Sequence, residues 1–222
     1  MSAPTGNPAR AADAGSHPYS TLTPDVVLDA LESVGLRGDG RMIGLNSYEN
    51  RVYQVFLEEG PPVVAKFYRP ARWSDAQIHE EHAFVAELAE REIPVVAPLA
   101  LPSETSDSRT LNEHAGFRFA VYPRRGGRTP ELEDPETLEW MGRFIGRIHA
   151  VGTLQPFVER PALGIGSFGI EPRDWLLAHD FIPPDLLAAW TSAIELALEG
   201  VRRCYERAGD VRTLRLHGDC HA

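Results

Sequence analysis

The sequence predicts an α+β chain in two lobes, a small lobe built on an antiparallel sheet followed by a helical one. Three observations carry that expectation. Extended, alternating runs are confined to residues 52–122, helical periodicity dominates from Asp134 onward, and the flexible Arg124-Arg125-Gly126-Gly127 lies between the two regimes. The expected organisation is a disordered tail over 1–20, a first lobe over 21–123 and a helical lobe over 124–222.

Residues 1–20 are rich in Ala, Gly, Pro and Ser. They lack the apolar segment of about 7–15 residues that a secretory leader needs. Thr23-Pro24-Asp25 then supplies an N-cap, a proline for the first helical position and an early carboxylate, and Val26, Val27, Leu31 and Val34 lead to Gly35. That is a first helix. Val52–Glu58 alternates apolar and polar residues, Glu59-Gly60-Pro61 turns the chain, and Val63–Tyr68 runs back, which predicts a hairpin. Ser74 with Gln77 fits a capping box, and Ile78, Phe84, Val85 and Leu88 follow at helical spacing until Ile93-Pro94. A helix over about 75–91 is expected. Two further extended runs, Val95–Leu101 and Phe117–Tyr122, flank a polar loop over 103–108.

In the second lobe, Asp134-Pro135 caps a helix whose Leu138, Met141, Ile145 and Ile148 share one face. A short helix is expected near Arg173–His179. A long one is expected over about 184–207, with Leu187, Trp190, Ile194, Leu198, Val201 and Tyr205 turned inward.

With 222 residues and 43% hydrophobic content the chain can bury a substantial core. Thirty-two acidic against 22 basic residues give a net charge of −10, which opposes nucleic acid and anionic membrane as partners. The longest apolar stretch, Val95–Pro102, is far short of the roughly 20 residues a spanning helix needs. Two cysteines, Cys204 and Cys220, fit a reducing compartment rather than a disulfide scaffold.

Lys66 stands inside the apolar run Val63–Tyr68, where a charge is costly without a partner. The next helix offers Glu80 and Glu81, and Glu81 is favoured because it lies three and seven residues before Phe84 and Leu88. Ahead of the hairpin, Asn46, Ser47 and Asn50 can present side-chain donors and turn amides to phosphate oxygens. His79/His82 and His217/His221 sit three and four residues apart, but neither pair has evident further ligands, so no metal site is expected from histidine.

The chain closes on an apolar run into His217-Gly218-Asp219-Cys220-His221, which resembles the catalytic loop of the aminoglycoside phosphotransferase and kinase-like superfamily. At a finer level, Leu45–Gln54, Val64–Trp73, Pro94–Leu99, Gly116–Pro123 and Leu214–Ala222 resemble the stress response kinase A family of bacterial Ser/Thr protein kinases. The resemblance implies a two-lobed protein-kinase-like fold using ATP and Mg2+. Asp219 would accept the proton of the acceptor hydroxyl, Ser47 would contact ATP, Lys66 would position phosphates and Glu81 would hold Lys66. Tyr122-Pro123 would stand at the hinge whose backbone meets the adenine edge. It further implies a cytoplasmic monomer acting on Ser/Thr hydroxyls of proteins.

The family pattern continues with an Asn and a second Asp that hold magnesium, and neither follows here. The helical lobe is therefore expected to be incomplete, truncated within its catalytic loop, and the chain nearly inactive. A small-molecule phosphotransferase of aminoglycoside or choline type and a nucleotide-binding pseudokinase are the alternatives.

Overall fold

The computed structural model describes residues 17–103 and 106–220. The described residues fall into two compact units, which divide between Thr129 and Pro130.

In the first unit, helix α1 (Pro24–Glu32) begins at Thr23, whose hydroxyl accepts the Val26 N–H, and buries Val27, Ala30 and Leu31. Five strands form one antiparallel sheet in the order β1 (Gly38–Leu45), β2 (Arg51–Leu57), β3 (Val63–Phe67), β7 (Phe117–Pro123), β6 (Asn112–His114). A separate hairpin pairs β4 (Leu101–Ser103) with β5 (Ser106–Arg109). Helix α2 (Asp75–Glu90) starts at the reciprocal Ser74/Gln77 capping box, with bonds of 3.0 and 3.2 Å.

Strand period decides which side chains meet which helix. Val63, Ala65 and Phe67 on β3, with Phe117, Phe119 and Val121 on β7, join Val27, Ala30 and Leu31 of α1 in the main core. The alternate residues face the other way. There Ala120 and Tyr122 of β7, with Tyr68 just past β3, gather around Ile78 of α2, and Lys66 shares that face.

Four expectations for this unit need correction. A strand precedes the candidate phosphate loop: β1 pairs with β2 from Leu45↔Val52 to Gly38↔Leu57 across a bulge. Its Gly-Asp-Gly-Arg start hides it, because glycine is depleted in strands and most of this edge strand is exposed. Residues 94–100 take no regular structure, although Leu99 N–H donates to Val121 O at 2.7 Å. Two prolines, Pro94 and Pro98, deny that segment ladder donors. The stretch expected as a loop over 103–108 instead contributes to β4 and β5. Of the expected tail, residues 1–16 lie outside the described residues, but 17–20 form a turn and Tyr19 is buried against Phe117.

The second unit holds α3 (Pro135–Gly152), a π-helical turn Gly166–Ile170 leading into α4 (Glu171–Ala178), and α5 (Leu187–Ala208). Asp134 caps α3 by accepting the N–H groups of Glu136 and Thr137. On α5 the apolar stripe is present, yet only Leu198 is buried; Leu187, Val201 and Tyr205 are exposed and Trp190 and Ile194 half-buried. Periodicity marks a face as apolar, but burial requires a neighbour, and the described residues of this unit do not cover that stripe. No described helix is long and apolar enough to cross a membrane.

Candidate functional site

On the α2 face of the sheet, Lys66 Nζ lies 3.2 Å from Glu81 Oε1, with both side chains half-buried. The Glu81 spacing on α2 brings this contact about, since Ile78, Phe84 and Leu88 are buried and turn the helix so that Glu81 meets β3. The ammonium also sits 4.7 Å from the centre of the Tyr68 ring, whose negative face adds a second source of charge stabilisation.

Behind the pair runs a buried polar network that the sequence reading missed. Tyr68 Oη lies 2.8 Å from His82 Nε2 and 3.3 Å from Tyr122 Oη, while His82 Nδ1 lies 2.9 Å from Thr110 Oγ1. Both imidazole nitrogens are thus engaged, so His82 serves as a core residue tying α2 to the sheet. Its position four residues after buried Ile78 was the available signal. Burial pushes the Tyr122 phenol up to about 12, against the opposing hydrogen bond from Tyr68.

Burial likewise pushes the His82 imidazole down to about 4, with Glu81 opposing and the charges of Lys66 and His79 reinforcing the effect. Between about 4 and 6.5 the unfolded chain therefore binds more protons than the folded one. The stability contributed by this neutral histidine is complete above pH 6.5 and is lost as pH falls toward 4. After allowance for solvent screening, that loss is on the order of 2 kcal/mol. Urea unfolding near neutral pH and near pH 4.5 checks this. The wild type should lose more stability over the interval than His82→Gln, and equal losses would exclude the histidine as the cause.

Ser47 lies half-buried in the turn 46–50 between β1 and β2, beside the exposed Asn46 and fully exposed Tyr48. The ladder brings the turn close to the lysine, because Arg51 faces Phe67 and Val52 faces Lys66. Tyr122 and Pro123 end β7, paired on one side with Val64 and Val63. On the other side β6 reaches only Phe119, so among the described residues no strand covers the outer edge at Tyr122-Pro123.

In the second unit Asp219 is exposed, and its N–H donates to His217 Nδ1 at 3.3 Å. Gly218 between them has φ +80°, a conformation that suits glycine. The loop is anchored upstream: the buried Arg215 donates its N–H to Gly152 O at 3.2 Å and its Nη2–H to Val151 O at 3.0 Å. Cys204 and Cys220 are both free thiols. His221 lies outside the described residues, and among those described no group of three or more His, Cys, Asp or Glu could hold a metal ion.

The chain is 44% identical over 204 residues to stress response kinase A of Shigella flexneri. It is 43% identical over the same length both to the Escherichia coli protein of that name and to the serine/threonine protein kinase RdoA of Salmonella typhimurium. In each case 92% of this chain aligns, and it spans 60% of the relative's length. Among solved structures, the amicoumacin kinase hAmiN in complex with AMP-PNP, Ca2+ and Ami superposes with a TM-score of 0.59 at 19% identity, over 79% of this chain and 52% of that one. The microcompartment-associated aminopropanol kinase gives 0.51 at 18%, over 68% and 48%. Both share the α+β fold, with a five-stranded antiparallel sheet and helices in this chain. Residues 42–222 match the phosphotransferase enzyme family, and the chain belongs to that family.

Proposed function

We propose that the chain carries the nucleotide-gripping lobe and the catalytic loop of an ATP-dependent Ser/Thr protein kinase acting in a stress response. The Lys66–Glu81 ion pair is the observation that carries this reading. A strand ammonium held by a helix carboxylate supplies a fixed positive charge for nucleotide phosphates. The relatives' names supply the acceptor class.

In this reading residues 21–123 bind the nucleotide and 124–222 form the helical lobe. Ser47 and its neighbours in the turn meet the phosphates, Lys66 positions them, and the backbone of Tyr122 and Pro123 meets the adenine edge. Asp219 accepts the proton of a substrate hydroxyl while that oxygen bonds to the terminal phosphorus; the bond from that phosphorus to the bridging oxygen breaks, and ADP leaves. Nucleotide phosphates fit the ammonium on the sheet face. A metal ion has no matching cluster among the described residues. The net charge of −10 favours a protein acceptor over nucleic acid, and the protein is proposed to act in the cytoplasm as a monomer.

Labelled phosphate transfer from ATP to a casein-like protein, to aminoglycosides and to choline tests the reading. In a chain extended to the full length of its relatives, transfer to the protein acceptor, reduced by roughly 10²-fold or more in Asp219→Asn, is the expected result, whereas the span 1–222 alone is expected to be nearly inactive. Transfer only to the small acceptors would replace it with a small-molecule phosphotransferase. No transfer, with nucleotide protection against heat that ignores magnesium, would leave a nucleotide-binding module.

A further inference from the structure

A turn that meets phosphates is expected to carry donors, yet this one carries a carboxylate, Glu49, close to the strand of Lys66. Left free, that charge would oppose a polyphosphate. The structure turns it elsewhere. Glu49 Oε1 accepts Trp73 Nε1–H at 2.8 Å, and Glu49 Oε2 accepts Arg72 Nε–H at 3.1 Å. The Arg72 guanidinium lies 4.5 Å from the centre of the Trp73 ring, so cation, indole and carboxylate close on one another.

The backbone of the turn is held as well. Tyr19 Oη–H lies 3.1 Å from Glu49 O and 3.2 Å from Phe67 O, one proton shared between the turn and the end of the strand that carries Lys66. Asn50 Oδ1 accepts the Arg69 N–H at 3.3 Å. Two separate segments, around Tyr19 and over 69–73, therefore converge on residues 49 and 50, and Tyr19 ties them to the end of β3.

We infer that Glu49 is a positioning residue, which with Trp73, Arg72 and Tyr19 fixes the 46–50 turn against the Lys66 strand so that its amides are preorganised for nucleotide phosphates. The assignment rests on the nucleotide reading proposed above. Its physical content is that a turn already ordered loses less conformational freedom on binding, and that the neutralised carboxylate no longer repels the ligand.

Two readouts separate the inference from that reading. Hydrogen exchange of the 46–50 amides in the nucleotide-free chain reports the anchor alone. Calorimetric affinities for ATP and for adenosine report its consequence. Glu49→Ala and Trp73→Phe should each speed exchange at 46–50 and lower the ATP-over-adenosine preference by about tenfold, the worth of a good hydrogen bond. Glu49→Gln, which keeps an acceptor for Trp73 but loses the charge facing Arg72, should fall between Glu49→Ala and wild type. The double variant Glu49→Ala/Trp73→Phe should be no worse than Glu49→Ala, because both act through one contact. Exchange unchanged in the single variants overturns the anchor whatever the nucleotide does. Faster exchange with an unchanged ATP preference, while Lys66→Ala abolishes that preference, overturns the link to phosphate and leaves the nucleotide reading intact. A wild type with no preference for ATP over adenosine sinks the nucleotide reading and this assignment with it.

Discussion

Lys66→Ala is expected to lower ATP affinity by roughly 10²-fold while leaving adenosine affinity within about twofold of wild type, because in the proposed site the lost group is a fixed charge aimed at phosphates. The loss has two parts. The ammonium no longer meets the phosphate oxygens, and Glu81, now without its partner 3.2 Å away, presents a half-buried carboxylate to the same ligand. The second part gives the prediction a sharper form. Lys66→Ala/Glu81→Ala should bind ATP better than Lys66→Ala alone, since removing the carboxylate removes the repulsion, so the two substitutions are strongly non-additive. Glu81→Ala alone should weaken ATP binding less than Lys66→Ala, because the Tyr68 ring still holds the ammonium at 4.7 Å. Calorimetry with ATP and adenosine on the four proteins is the check. A Lys66→Ala protein that binds ATP as wild type does would remove the central residue from the proposed site.

The parts of this architecture that were legible in the sequence are those decided by neighbours within a turn or two. Caps announce α1, α2 and α3, as Thr23, Ser74 and Asp134 each satisfy backbone donors a few residues on. Strand alternation was enough to set Lys66 apart from Ala65 and Phe67, and helical spacing was enough to prefer Glu81 to Glu80 as its partner. Long-range contacts were not legible in this way. Tyr19 reads as part of a polar tail because the residues around it are those of a tail, whereas it is stacked on Phe117 and its hydroxyl is held by carbonyls at Glu49 and Phe67 that lie 30 and 48 residues away. β1 was hidden for a related reason: its glycines have little strand propensity, and pairing with the distant residues of β2 holds it extended. His82 was weighed as a metal ligand from the spacing of two histidines. Its environment is decided instead by Tyr68 and Thr110, which no local pattern brings to it. The α5 stripe shows the converse limit, an apolar face correctly read but exposed among the described residues of its unit.

Gly152→Ala carries the second large expectation, and it concerns the loop that bears Asp219. Gly152 is buried at the last position of α3, where a Cβ would stand 2.2 Å from Arg215 O, 3.2 Å from Arg215 C and 3.4 Å from Arg215 N. A flexible side chain could swing away from such a contact, but a backbone carbonyl cannot without moving its segment. That segment is held to α3 by the Arg215 N–H on Gly152 O and the Arg215 guanidinium on Val151 O. The added methyl must break at least the first of these. Overpacking costs about 1–3 kcal/mol and a lost buried hydrogen bond adds about 1 kcal/mol, so a destabilisation of about 2–4 kcal/mol is expected. Because Asp219 follows Arg215 by four residues, the phosphate transfer proposed for the full-length chain should fall as the loop shifts. ATP affinity should hold, since the Lys66–Glu81 pair belongs to the other compact unit. Gly146→Ala on the same helix is the matched control: a Cβ there meets nothing within 4 Å, and alanine is the better helix former by about 1 kcal/mol, so that variant should be neutral or slightly stabilised. Urea unfolding of the two variants separates the close approach from a generic effect of placing alanine in α3. If both variants proved equally stable, the anchoring of the Asp219 loop on the end of that helix would be wrong.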